Sequence, residues 1–253
     1  MKITVIGGTG LIGSRLADVL ERRGHAVVAA SRATGVNSFT GEGLANALEG
    51  AETVIDVSNS SYVDEAAALE FFEVSTLNLL TYGADAGVRH HVALSVVGTD
   101  RLARSQGGYF IAKAEQERLI VESGRQYSLV HATQFFEFIR NITDTATRGR
   151  VAKLADVLIQ PMAADDVAGA VADVAAQEPV NGVVEFAGPE VFRLTELARR
   201  ELRLRQDARE VVADPLGTYF GAHLTERDLL PETTATISGT RLHDWQNRAA
   251  VPH

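Results

Sequence analysis

The sequence of 253 residues predicts an α/β protein built on a doubly wound parallel sheet. Short β-branched runs alternate with longer helical patterns through the first two-thirds of the chain, as they do in βα units. Four of the helical patterns end near a glycine, the residue that most readily adopts the left-handed C-cap conformation. The predicted strands are 2–6, 26–30, 53–57, 90–94 and 127–131, and the predicted helices are 11–23, 43–48, 64–86 and 108–123.

Two regions fit this alternation less closely. A further short strand is expected between Arg32 and Gly41, where 36–39 is the suitable segment. After about Phe138 the pattern loosens into an extended segment, a helix, a strand and a helix, at 154–160, 165–177, 183–186 and 195–205. Because no repeat or linker divides the chain, we predict one domain over residues 1–253, in which residues from about 139 onward form a small C-terminal substrate-binding lobe.

Composition limits the classes of function. The 45% of apolar residues is ordinary for a protein with a substantial core. No apolar run approaches the ~20 residues of a membrane span, and no signal sequence precedes the first strand, so we expect a cytoplasmic protein without a membrane partner. The absence of cysteine excludes disulfides and thiolate chemistry, and no metal site is predicted. A net charge of −9 disfavours nucleic acid as a partner, whereas a homo-oligomer is an open possibility.

The first predicted strand runs directly into a glycine-rich turn and a helix. The turn, Gly8-Thr-Gly-Leu-Ile-Gly13, fits the pattern G-x-G-x-x-G. Glycines at these positions allow a tight turn, close approach of the backbone to a pyrophosphate, and close packing of helix on strand. The pattern therefore predicts a Rossmann-type dinucleotide site, with binding residues Gly7, Thr9, Gly10, Leu11, Ile12 and Gly13.

The end of the second strand indicates which dinucleotide is bound. An acidic residue there would accept a hydrogen bond from a ribose 2′-hydroxyl, whereas an arginine would pair with a 2′-phosphate. The sequence has Ser31 and Arg32 and no carboxylate at this point. Because the guanidinium is planar and permanently charged, we predict NADP(H) in preference to NAD(H), with Ser31 and Arg32 as contacts. The alternative is that Arg32 is a solvated loop charge.

A Y-x-x-x-K pattern, Tyr109 to Lys113, lies on the fourth predicted helix. The spacing of i to i+4 places both side chains on one helical face, and Ser95 ends the preceding strand. In such a set, a lysine cation stabilises a phenolate, the tyrosine transfers a proton to or from a substrate oxygen, and a serine hydroxyl orients that oxygen. We therefore predict Ser95, Tyr109 and Lys113 as catalytic residues. Alternatively, Tyr109 packs on the sheet and Lys113 only holds the cofactor ribose.

Three phenylalanines follow the fifth predicted strand. Phe135, Phe136 and Phe138 are candidates for closing over a substrate ring, and we expect at least one of them to reach the site. An aromatic cluster in the core is an equally good explanation of the same pattern.

Several motifs occur in order over nearly the whole chain. They are Gly7-Gly-Thr-Gly-Leu-Ile-Gly13, Leu94-Ser-Val-Val-Gly98, Tyr109-x-x-x-Lys113, Thr133-Gln-Phe-Phe-Glu-Phe138, Asp165-Asp-Val-Ala168 and Phe186-Ala-Gly-Pro189. In this combination the sequence resembles the short-chain dehydrogenase/reductase superfamily, most closely the atypical NmrA-like branch of NAD(P)H-binding oxidoreductases. The resemblance implies that Ser58 and Asn59 also contact the cofactor, and that Lys113 is both catalytic and cofactor-binding.

These features predict an NADPH-dependent oxidoreductase that acts on a small carbonyl, alcohol or quinone-like compound. The main alternative is a regulatory protein that senses NADP(H), binds a protein partner and catalyses nothing. An epimerase or dehydratase that recycles its cofactor ranks below both, because the sequence offers no second acid–base group at a convincing position.

Overall fold

A parallel sheet of seven strands forms the centre of the computed structural model, which describes residues 1–60, 62, 64–105 and 107–249. The strands, numbered in chain order, are β1 (Lys2–Ile6), β2 (Ala26–Ala30), β3 (Thr53–Asp56), β4 (His90–Val96), β5 (Tyr127–Ala132), β6 (Thr147–Arg148), β7 (Val151–Leu154), β8 (Leu158–Ile159), β9 (Val183–Ala187), β10 (Phe192–Arg193), β11 (Glu210–Ala213), β12 (Thr218–Tyr219), β13 (Ala222–His223) and β14 (Thr236–Ile237). The central sheet has the order β14-β9-β5-β4-β3-β1-β2. This arrangement confirms the predicted α/β fold with a doubly wound parallel sheet.

Helices cover both faces of this sheet, and others pack against the smaller sheets of the chain beyond Phe138. They are α1 (Leu11–Arg22), α2 (Leu44–Leu48), α3 (Glu65–Asp85), α4 (Thr99–Arg104), α5 (Gly108–Glu122), α6 (Ile139–Thr145), α7 (Ala164–Ala175), α8 (Leu194–Leu204) and α9 (Leu242–Ala249). Val92 and Val130 share a core cluster with α1 and α7. The adjacent strand positions, Ala93 after Val92 and Leu129 before Val130, pack instead with Ile120 of α5. Because successive strand residues point to opposite faces, the two helix layers enclose the sheet.

The strand expected between Arg32 and Gly41 is absent from the structure. Arg32–Thr34 forms a 3-10 turn instead, and Gly35 ends it with a φ of 80°. The Asn78 side chain on α3 donates hydrogen bonds to the carbonyls of Ser38 and Phe39 at 2.9 and 3.0 Å. These two carbonyls are therefore bound by a side chain and not by a strand, and the central sheet ends at β2.

The chain beyond Phe138 forms small sheets and helices that pack against the Rossmann core. A three-stranded sheet, β11-β7-β6, and two short ladders, β10-β8 and β12-β13, belong to this region. Its apolar residues, such as Leu154 and Leu197, share one buried cluster with Phe72 of α3 and Phe110 of α5. The late segments are thus continuous with the core, and they return to the central sheet as β9 and β14. None of the helices within the described ranges is long and apolar enough to cross a membrane.

Candidate active site

One cavity of about 1120 Å³ lies at the carboxyl ends of β1 to β5. In an open parallel sheet this edge is where ligands bind, because the loops that follow the strands meet there. The predicted site residues that line the cavity are Gly7, Thr9, Gly10, Leu11, Ile12, Ser31, Arg32, Ser58, Asn59, Ser95, Tyr109, Lys113, Phe135 and Phe138. The fold therefore places the glycine turn and the Tyr–Lys helix along the same cavity.

The glycine turn connects β1 to α1 with very little space. Gly7 has a φ of 80°, and a Cβ on it would lie 2.9 Å from the Ser58 backbone nitrogen. Gly13 does not line the cavity, and a Cβ on it would lie 2.1 Å from the Gly7 carbonyl oxygen. The absence of a side chain at Gly13 therefore lets α1 pack closely against the glycine turn. That packing positions Gly7 and Gly10, which form part of the cavity wall.

The residues around this turn fit a nicotinamide dinucleotide. The N-terminus of α1 has no side-chain cap, so its backbone N–H groups are available to a phosphate. The Ser58 hydroxyl is buried beside Gly7 and has no hydrogen-bond partner of normal geometry within the described residues, although it lies near the Asp56 carboxylate. A buried hydroxyl without a partner is unfavourable by about 1–3 kcal/mol, so a polar ligand at this point would stabilise the site.

Gly13→Ala is expected to weaken dinucleotide binding at least about tenfold and to destabilise the fold by about 1–3 kcal/mol. The added methyl group has to displace the Gly7 carbonyl, which lies in the glycine turn. Gly169→Ala on α7 is the matched control, because a Cβ there meets no atom within 4 Å. Calorimetric titration with dinucleotide and thermal unfolding would test the pair. Equal effects of the two substitutions would contradict the role given to Gly13.

Tyr109 lies in the first turn of α5, and its side chain is 6% exposed. Its hydroxyl donates a hydrogen bond to Asn59 Oδ1 at 2.9 Å, and the Asn59 amide in turn donates to the Tyr62 hydroxyl. Burial raises the pKa of Tyr109 well above its ordinary value, and the neighbouring Tyr62 raises it further. The direction is opposite to the lowering expected from Lys113, so Tyr109 is a protonated phenol in this arrangement.

Lys113 lies one turn further along α5 and is 3% exposed. Its ammonium group donates to the Leu94 carbonyl at 2.8 Å and to the Gln116 side-chain oxygen. Gln116 then donates to Asp56 Oδ2 at 2.8 Å, which links the ammonium to the end of β3. Burial lowers the pKa of Lys113 to about 8, although Asp56 and Glu117 oppose the shift.

Asp56 and Gln116 belong to this group of side chains although no sequence motif predicted them. Burial raises the pKa of Asp56 as well, despite its hydrogen bonds with Ser58 and Gln116 and the nearby Lys113 charge. A carboxylate at the end of a strand and a polar residue three positions after Lys113 were the available signals. Neither signal shows that the two side chains meet across the core.

Ser95 lines the cavity from the end of β4, but its hydroxyl is engaged elsewhere. It hydrogen-bonds to the Glu117 carboxylate and lies 3.2 Å from the Thr99 hydroxyl. Glu117 also lies 3.0 Å from His131 Nε2, and these interactions lower the pKa of Glu117 against the effect of burial. The Ser95 hydroxyl is therefore held by α4 and α5 residues and not by the Tyr109 hydroxyl.

The three phenylalanines after β5 separate in the structure. Phe135 and Phe138 line the cavity. Phe136, which was predicted to contact substrate, is instead buried and packs on Trp245 with ring centroids 5.4 Å apart. The 3-10 turn Phe136–Phe138 turns successive side chains in different directions, so that Phe136 points into the core.

The fold and the cavity define a dinucleotide-binding protein with buried acid–base groups beside the binding turn. The model of the NAD dependent epimerase/dehydratase family matches residues 3–136, which is more than half of the chain. The chain therefore belongs to this family of nicotinamide-dependent enzymes, which confirms the predicted superfamily; the NmrA-like branch stays a prediction. No curated protein matches the sequence.

Solved structures with the same fold are distant in sequence. MoeE5 in complex with UDP-glucose and NAD is 18% identical, with 99% of this chain and 100% of that chain covered and a TM-score of 0.73. The dTDP-4-dehydrorhamnose reductase of Bacillus anthracis in complex with NADP is 13% identical, with 97% and 92% covered and a TM-score of 0.68. An NADPH-dependent quinone oxidoreductase from Escherichia coli is 20% identical, with 84% and 78% covered and a TM-score of 0.60.

Proposed function

We propose that this chain is an NADPH-dependent oxidoreductase that transfers a hydride between the nicotinamide and a small carbonyl, alcohol or quinone-like compound. The observation that carries the proposal is that one continuous cavity reaches from the glycine turn past Arg32 to Tyr109 and Lys113. A dinucleotide bound at Gly7 and Gly10 would share this space with a substrate beside Tyr109. The superfamily resemblance assigns Ser95, Tyr109 and Lys113 as the reacting set.

The protonated state of Tyr109 suits the reducing direction. When bound, NADPH would supply the hydride that forms the new C–H bond at a carbonyl carbon, leaving NADP⁺ and electron density on the carbonyl oxygen. Tyr109 would give its proton to that oxygen, and the Lys113 ammonium on the same helical face would stabilise the phenolate that remains. The Ser95 hydroxyl would give up its contact with the Thr99 hydroxyl and hydrogen-bond to the substrate oxygen instead, which would orient that oxygen. Overall, carbonyl, NADPH and a proton become alcohol and NADP⁺.

The preference for NADP(H) rests on Arg32, which follows β2 and lines the cavity. Arg32→Ala is expected to weaken NADPH binding by about 10–100-fold, because a charge-assisted hydrogen bond to the 2′-phosphate is lost. NADH binding should change less than about threefold, since NADH has no such phosphate. Arg104→Ala, an exposed α4 residue paired with Asp100, is the control.

Fluorescence titration of both dinucleotides would test this preference. NADH binding as tight as NADPH binding in the unsubstituted protein would contradict it, and so would an equal effect of Arg32→Ala on the two dinucleotides.

The second candidate is a protein that senses NADP(H) without turnover. It is favoured by the hydrogen bonds that occupy the Tyr109 and Ser95 hydroxyls, with Asn59 and with Glu117. Incubation with NADPH and a carbonyl panel distinguishes the candidates. Stoichiometric NADPH oxidation supports the oxidoreductase, product formation without net oxidation supports an epimerase or dehydratase, and tight NADPH binding without any product supports the sensor.

A further inference from the structure

The part of the cavity beside Tyr109 has aromatic walls. Tyr62 lies between Tyr109, Phe138 and Phe220, with ring centroids at 4.7, 5.1 and 4.9 Å. Tyr219 packs on Phe220 at 4.7 Å. All five of these rings line the cavity, although they come from the β3–α3 loop, α5, the segment after β5 and the β12–β13 hairpin. We call them the aromatic cluster.

Phe220 reaches the cavity at the expense of an unfavourable backbone conformation. It has a φ of 47°, and Gly221 after it has a φ of 87°. The pairing of Tyr219 with Ala222 makes these two residues the tip of a tight hairpin. A bulky residue in the left-handed region is strained by about 1–3 kcal/mol, and such residues concentrate at ligand sites.

Charge is scarce where the aromatic cluster lies. Among the described lining residues, the charged side chains are Arg32, Glu70 and Lys113. Arg32 follows β2 near the glycine turn, and the Lys113 ammonium donates to Leu94 and Gln116. A nucleotide diphosphate beside the cluster would have only the Lys113 ammonium as a nearby described cation, and that group already donates to Leu94 and Gln116. Most of the diphosphate charge would therefore be buried without a partner, which is strongly unfavourable.

Gln134 supplies an unused polar group at the same place. It is 5% exposed, lines the cavity, and neither its Nε2 nor its Oε1 has a hydrogen-bond partner of normal geometry within the described residues. Its side chain does lie near the Tyr219 hydroxyl, where it opposes the rise in the pKa of Tyr219 caused by burial. A buried amide with both atoms unpaired is unfavourable unless a ligand supplies a partner.

We propose that the substrate is a flat, uncharged aromatic carbonyl compound with a second oxygen atom, held by the aromatic cluster and hydrogen-bonded through that oxygen to Gln134. The proposal rests on the oxidoreductase function above and names its substrate class. The ring stacks on the cluster, the reacting carbonyl faces Tyr109, and the second oxygen accepts a hydrogen bond from Gln134 Nε2. The reaction is the reduction already given, with hydride to carbon and a proton to oxygen.

Three matched probes test the proposal with the NADPH-loaded full chain. Naphthoquinone has a second oxygen, naphthaldehyde has only the reacting one, and naphthoquinone sulfonate adds a negative charge. We expect kcat/KM for naphthoquinone to exceed that for the sulfonate by at least about tenfold, because the sulfonate charge would be buried against aromatic rings. UDP-glucose should not compete with naphthoquinone.

Variants then assign the contacts. Gln134→Met should lower kcat/KM for naphthoquinone by about tenfold and leave that for naphthaldehyde nearly unchanged, because only naphthoquinone loses a hydrogen bond. Phe220→Leu should raise KM for both about tenfold without changing the Kd of NADPH. Gln177→Met, an exposed residue after α7, is the control for both.

The outcomes separate this proposal from the function on which it rests. Binding of naphthoquinone that depends on Gln134 and Phe220, without turnover, would support the substrate site and overturn the oxidoreductase function. Turnover of the sulfonate or of a nucleotide-sugar carbonyl as fast as naphthoquinone would overturn the substrate class and leave the oxidoreductase function standing. Equal losses on naphthoquinone and naphthaldehyde in Gln134→Met would overturn the role of Gln134.

Discussion

Tyr109→Phe is expected to lower kcat for NADPH-dependent carbonyl reduction by about 10²–10⁴-fold, the range for loss of a general acid. The hydroxyl is the group that this substitution removes, and the ring keeps its contacts with Tyr62 and Phe72. Burial keeps the Tyr109 proton in place, since the pKa of Tyr109 is raised well above its ordinary value. The affinity for NADPH should change less than about threefold, because the hydroxyl bonds to Asn59 and not to the glycine turn.

Tyr127→Phe is the matched control, because Tyr127 opens β5 at the opposite end of the strand from the cavity and lies outside its lining. Single-turnover kinetics under saturating NADPH would separate the chemical step from binding. Unchanged turnover in Tyr109→Phe would remove Tyr109 from the mechanism. A fall in NADPH affinity that accounts for the whole loss would show that Tyr109 serves to hold the cofactor.

The fold was predictable because its signals are local. Apolar periodicity and terminal glycines identified the strands and helices from β1 to β5 to within a few residues, and the glycine turn identified the ligand edge. The strand expected at 36–39 failed for a non-local reason: Asn78, about forty positions further along the chain, binds the carbonyls of Ser38 and Phe39. The short helix α4 was not predicted either, because six residues are too few to show a helical period of apolar side chains.

The site was predictable only where its residues share one element. The spacing of Tyr109 and Lys113 placed both on α5. Asp56 joins the Lys113–Gln116 hydrogen-bond chain from β3, Gln134 lines the cavity from the segment after β5, and Phe220 comes from a hairpin about a hundred residues later. Contacts between residues so far apart in the chain depend on tertiary packing, and the spacing of residues in the sequence does not predict it. Burial is equally non-local, and it reversed the expected direction of the Tyr109 pKa.

Lys113→Met is expected to lower kcat/KM for carbonyl reduction by at least about 100-fold. The substitution removes the cation on the Tyr109 face of α5 and leaves Gln116 without its donor. The apolar stem still fits beside Phe72, whose ring lies 4.6 Å from the ammonium nitrogen, so the chain should fold. Lys153→Met, at an exposed position of β7, is the control. Activity within about threefold of the unsubstituted protein would exclude an electrostatic role for Lys113.

The pH dependence follows from the pKa of about 8 that burial gives Lys113. The ammonium is present below this pH and is lost as the pH rises through about 8. The value of kcat/KM should therefore fall by about tenfold per pH unit above that point. Lys113→Arg should move the alkaline limb to higher pH, because a guanidinium stays charged. An alkaline limb at the same pH in Lys113→Arg would assign it to another group.

The free energy of unfolding should also depend on the ionisation of Lys113, but it should rise with pH, whereas kcat/KM falls. The unfolded chain has an ordinary lysine pKa of 10.5 and binds more protons than the folded chain between about pH 8 and 10.5, so folding stability rises with pH in that window. Burial of the ammonium opposes folding by on the order of 3 kcal/mol below pH 8, and this disadvantage fades as the pH approaches 10.5. Lys113→Met has no such group. In urea unfolding, the excess in free energy of unfolding of Lys113→Met over the unsubstituted protein should therefore shrink from pH 7 to 10. A difference that stays constant would mean that burial does not disfavour the Lys113 charge.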